Sequence, residues 1–165
     1  MVYYYQQIIF KNFSCILSHF RYNVFATRNE KGNITRGDIM GFWIYMFVMA
    51  LLMPVTLLLF GLYFRNKAPK NINIVFGYRT SRSMKNMDTW RFAHRFCGLI
   101  WIVGGCISLP AAIIPMLLVM GESVDTIGYM GAACLILPFI FIVVSIIFTE
   151  NALKKKFDSF GHPKK

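Results

Sequence analysis

Three long stretches of the chain carry no charged side chain: Ile39–Phe64, Phe96–Gly121 and Thr126–Thr149. They are apolar on every side and show no polar stripe at helical spacing, so a water-facing surface is excluded for all three. The two-residue alternation of a membrane barrel strand is absent too. A bilayer core of about 30 Å takes about 20 apolar residues in helical form, and each stretch is long enough. The pattern predicts an all-α integral membrane bundle of three transmembrane helices, spanning about 40–64, 96–120 and 127–148. Pro54, Pro110, Pro115 and Pro138 fall inside these spans and are read as shaping the bundle. Small residues at four-residue spacing, Gly104, Ser108 and Ala112 in the second span and Gly128 and Ala132 in the third, are read as packing seams.

The 165 residues carry a formal net charge of +11. That balance would suit a nucleic-acid binder, but its distribution suits a membrane. Of the 18 Lys and Arg, five precede the first span, eight lie between the first and second, none lies between the second and third, and five follow the third. The turn between the last two spans has only Glu122 and Asp125. Basic loops stay on the cytoplasmic side. The expectation is therefore a basic cytoplasmic loop from Arg65 to Arg95, a cytoplasmic tail from Glu150, and an external turn at Glu122–Asp125. Anionic headgroups are the expected partner of much of this charge, with no direct binding of nucleic acid.

Parity puts residues 1–39 outside, although they contain Lys11, Arg21, Arg28, Lys31 and Arg36. Three readings compete: translocation despite the charge, placement on the cytoplasmic surface, or a segment that is not part of the natural product. Met40 directly precedes the first span and is the expected physiological start. The expected organisation is an N-terminal extension over 1–39, a three-span membrane domain over 40–157, and a short basic tail over 158–165.

No Asp, Glu, Lys, Arg or His lies deep in a span, which argues against ion-coupled transport. Cys15, Cys97, Cys106 and Cys134 have no Cys-x-x-Cys spacing and are read as small helix residues. His19, His94 and His162 share no ligand spacing. Paired carboxylates, a nucleophile with its base, and a phosphate-binding glycine loop of the usual pattern are all missing. The chain is thus expected to be no enzyme and to hold no cofactor or metal.

Information concentrates in the loop between the first two spans. Gly77 marks a turn between Phe76 and Tyr78. Arg79, Thr80, Ser81 and Ser83 place a guanidinium among hydroxyls, a set able to hold phosphate or carboxylate; a solvated, lipid-facing basic loop is the plainer alternative. A helix is expected to begin near Asn86–Asp88, with Asn86 as its cap and Asp88 in the first turn. Trp90, Ala93, His94 and Cys97 share one face, with Trp90 at headgroup depth and His94 an ordinary interfacial histidine. Glu150 should leave the membrane on the side of Arg79 and Arg82 and contact one of them.

In this loop Asn73, Gly77-Tyr78-Arg79-Thr80, Ser83 and Trp90, and at the exit of the third span Thr149-Glu150 with Leu153, Lys154 and Phe157, the chain resembles the SdpI family of bacterial membrane proteins. The likeness runs from about Met40 to Phe157. The resemblance implies a multi-pass protein of the bacterial cytoplasmic membrane. It also implies immunity to a secreted toxin, signal transduction through membrane capture of a cytosolic DNA-binding repressor, or both. Asn73, Gly77, Tyr78, Arg79, Thr80, Ser83 and Trp90 would form the recognition loop, with Glu150 as a loop partner. The rival reading is an oligomeric transporter or channel subunit for small molecules or ions.

Overall fold

A computed structural model describes residues 36–67, 71, 72 and 77–164. Most of the N-terminal extension, and with it the question of a start at Met40, lies outside the described residues. Among the described residues four helices follow one another: α1 (Arg36–Asn66), α2 (Met87–Leu118), α3 (Val124–Cys134) and α4 (Ile136–Lys156). Of the described residues, three helical segments, 36–66, 87–118 and 124–156, are long and apolar enough to cross a membrane. The protein is all-α and membrane-spanning. Leu59, Ile114, Leu118, Ile140 and Ile147 are exposed; on a soluble protein such a surface would drive association, whereas here it faces lipid.

The third span differs from the single rod expected. It is divided at Leu135, whose amide reaches back only three residues to Ala132 O. Pro138, buried just beyond, has no N–H for the Cys134 carbonyl, which is the physical reason for the break. α1 runs through Pro54 without division, and α2 through Pro110 and Pro115.

α1 and α2 pack most extensively. Their contact centres on two glycines. A Cβ on Gly98 would lie 2.8 Å from Gly61 O and 2.9 Å from Arg65 N; one on Gly61 would lie 2.8 Å from Ile102 N. Only hydrogen on both sides lets the backbones come this close. Gly105 continues the seam against Pro54 O and Leu58. Gly104, Ser108 and Ala112 are buried as expected, with Gly104 against Phe141. In the third span the seam is corrected: Gly128 and Gly131 are buried, while Ala132 is exposed.

Away from the long loop, Trp43, Met46, Ala50, Ala112, Met116, Val119, Ile127 and Cys134 form one core. Here Trp43 Nε1 donates to Met116 O at 2.7 Å. That carbonyl lies in the last turn of α2, where the Met120 amide goes to Leu117 O instead, so the indole caps a helix end. At the other end, Tyr78, Ala93, Cys97, Leu153 and Phe157 form a second core, and the loop sits on it.

Candidate functional site: the loop between the first two helices

The loop returns to α2 through a glycine turn. Gly77 has φ +119°, a conformation that L side chains rarely adopt. Its Cα faces the ring of His94 so closely that a Cβ there would overlap His94 Nε2 and lie 3.3 Å from Trp90 Cη2. The next amide, Tyr78 N–H, donates to His94 Nε2 at 2.9 Å. His94 Nδ1 lies 2.8 Å from Trp90 O. A carbonyl can only accept, so Nδ1 carries the proton and Nε2 is the bare acceptor. Two hydrogen bonds thus fix a neutral imidazole in one tautomer.

Tyr78 then crosses to α4. Its hydroxyl donates to Ile146 O at 3.2 Å and to Glu150 Oε1 at 3.3 Å. Burial first, and the Glu150 carboxylate next, push the phenol well above its ordinary range, so it remains a donor. Arg82 Nε lies 3.7 Å from Glu150 Oε2, with the two side chains 41% and 25% exposed. At that exposure and distance the pair contributes no more than about 1 kcal/mol. Buried Tyr78 is the stronger tie between the loop and α4.

A reciprocal turn stiffens the following residues. Thr80 N donates to Ser83 Oγ at 2.9 Å, and Ser83 N to Thr80 Oγ1 at 3.1 Å. Ser83 Oγ donates in turn to Tyr78 O at 3.0 Å. The loop then enters α2 through a capping box. Asn86 Oδ1 accepts from the amides of Asp88 and Thr89, and Asn86 N donates to Thr89 Oγ1.

The C-terminal tail is a hook docked on that cap. Asn86 Nδ2 donates to Gly161 O at 2.7 Å, and Lys85 Nζ donates to Ser159 O. Asp158 Oδ1 accepts the amides of Phe160 and His162, closing the hook, and Gly161 turns at φ +90°. Asn86→Ala removes both the cap and the hook contact. The expected loss is about 1–2 kcal/mol, together with faster proteolysis after Lys156, read by limited digestion.

The expected site residues thus separate by burial. Tyr78, Ser83 and Trp90 are buried, with Trp90 wholly so. The returning loop covers Trp90, whose ring centroid lies 4.3 Å from that of His94. His94 is likewise buried, with both ring nitrogens in hydrogen bonds. Arg79, Thr80 and Arg82 are half-buried, and Ser81 and Lys85 exposed. Arg79 Nε is buried and has no hydrogen-bond partner among the described residues. Asn73 lies outside the described residues. Among the described residues no group of His, Cys, Asp and Glu is arranged to hold a metal ion.

Sequence reasoning missed the weight carried by His94 and the tail hook. One signal was available for the first: His94 shares a helical face with Trp90 and Cys97 and lies between the outward Arg91 and Arg95.

A three-span helical membrane protein with an inward-folded loop is the class these features define. A family model described as the SdpI/YfhL protein family matches residues 70–149, which covers most of the loop, all of α2 and α3, and α4 as far as Thr149. The chain is also 34% identical over 86 residues to "Uncharacterized protein YfhL" of Bacillus subtilis (strain 168), covering 52% of this chain and 68% of that one. The chain belongs to the SdpI/YfhL family. No solved structure matches it.

Proposed function

We propose that this is a non-enzymatic immunity or signalling protein of the bacterial cytoplasmic membrane, with the loop between α1 and α2 as its recognition surface on the cytoplasmic side. Its partners would be a secreted toxin, a cytosolic DNA-binding repressor, or both, with anionic lipid headgroups around the basic rim. The observation that carries this reading is Arg79. Its Nε is buried and unpartnered among the described residues, on a loop tied to α2 by His94 and to α4 by Tyr78. Leaving a buried donor unmet costs about 1–3 kcal/mol, and an acidic or carbonyl-bearing partner would recover it. Arg82 and Lys85 would add charge at the edge, while Gly77, Tyr78, Thr80, Ser83 and Trp90 form the frame. Family membership supports the same reading.

Arg79→Ala is expected to abolish protection from the toxin, or repressor capture, with membrane insertion unchanged. Cell survival under toxin and repressor co-fractionation with membranes read the two roles. Full retention of both would sink the proposal.

A further inference from the structure

We propose that His94 is an acid-operated latch that releases the segment 77–83 from α2. The ring has one unprotonated nitrogen, Nε2, and Tyr78 N–H donates to it. A proton arriving there turns the acceptor into a donor, so two N–H groups face each other. The ring cannot exchange roles, because Nδ1–H is held by Trp90 O at 2.8 Å. Nor can it slide: the Gly77 backbone lies against Nε2. Trp90 and Phe64 flank the ring with centroids 4.3 Å and 5.0 Å away. The imidazolium would be wholly buried, with its new donor unpaired, which is unfavourable in an apolar surrounding. Lifting the loop admits water and relieves both problems.

The segment would move as a unit. The Thr80–Ser83 turn and the Ser83 Oγ bond to Tyr78 O are internal to it, so they survive release. Other groups around His94 could titrate or carry charge. On the loop these are Tyr78 and Arg79, on its own helix Cys97, on α4 Glu150, and at the end of α1 the exposed Arg65; Arg91 and Arg95 point outward. Among the described residues none of their side chains hydrogen-bonds the imidazole. Glu150 is the one competitor, because it holds the Tyr78 hydroxyl. The latch is a property of the loop itself; its effect on recognition rests on the function proposed above.

Hydrogen exchange at the Tyr78 amide tests the latch, using the full chain in lipid nanodiscs and correcting for the intrinsic pH dependence of exchange. Histidine ordinarily charges between about pH 7.5 and about pH 5. Over that range Tyr78 protection should fall about tenfold in the wild type, the scale of one lost hydrogen bond. Glu150→Gln should show the same fall. His94→Gln should show none, since its amide oxygen accepts the Tyr78 N–H without titrating. Unchanged protection in the wild type, or an equal fall in His94→Gln, would overturn the proposal. Should His94→Gln not fold, ring nitrogen NMR of the wild type decides: Nε2 must be bare at neutral pH and gain its proton in step with the exchange. A working latch in a chain that gives no protection would retain this inference and remove the functional one.

Discussion

Gly98→Val will force the first two helices apart and cost about 3 kcal/mol or more, at the upper end of overpacking penalties. The reason lies in what the new Cβ meets. Its nearest neighbours, Gly61 O and Arg65 N at 2.8 and 2.9 Å, are backbone atoms. A flexible side chain could swing away, but a helix backbone can only move as a rod. The displacement would travel to Phe64, which packs edge-on against His94, so the loop should loosen as well. Reversible unfolding in mixed micelles measures the cost, and Gly41→Val, where nothing lies within 4 Å, is the control. Equal stability of the two variants would refute the close crossing.

Gly77→Ala should detach the loop at neutral pH. Two effects add. The φ of +119° strains any L residue by about 1–3 kcal/mol, and the methyl would collide with His94 Nε2. The sum is about 3 kcal/mol, enough to displace a segment held by a few hydrogen bonds. The Tyr78 amide should then exchange quickly at any pH, with helix content unchanged, and protection should fail as in Arg79→Ala. Gly121→Ala separates the two effects: its φ is +83°, but nothing lies within 4 Å. It should show only the strain. Tyr78 protection as strong in Gly77→Ala as in the wild type would contradict the geometry.

The spans were legible because burial in lipid is written in residue type alone. The start of α2 was legible because an Asn cap acts within three residues of itself. The central crossing was not. Gly61 has Leu57 and Arg65 four residues to either side, so spacing within one helix gives no signal; the meeting with Gly98 exists only between helices. The cover over Trp90 and His94 was hidden for a related reason. Local pattern sets them beside Arg91 and Arg95 at the membrane edge, yet a loop returning through Gly77 covers them. Ala132 was assigned to the seam by counting from Gly128, but the buried neighbour is Gly131. The tail was legible only as a short basic segment, because its order comes from distant Lys85 and Asn86.

The Trp43 bond to Met116 O bears on the transporter half of the rival reading, that of an oligomeric transporter or channel subunit. Alternating access by rocking requires one mouth to part while the other stays shut. Here each mouth is fastened by a buried donor: the indole on one side, and the Tyr78 amide and hydroxyl on the other. Parting the Trp43 side strands the indole N–H without its carbonyl, at about 1–3 kcal/mol, before any substrate has moved. Such a frame suits a stationary scaffold with one hinged flap better than a pump.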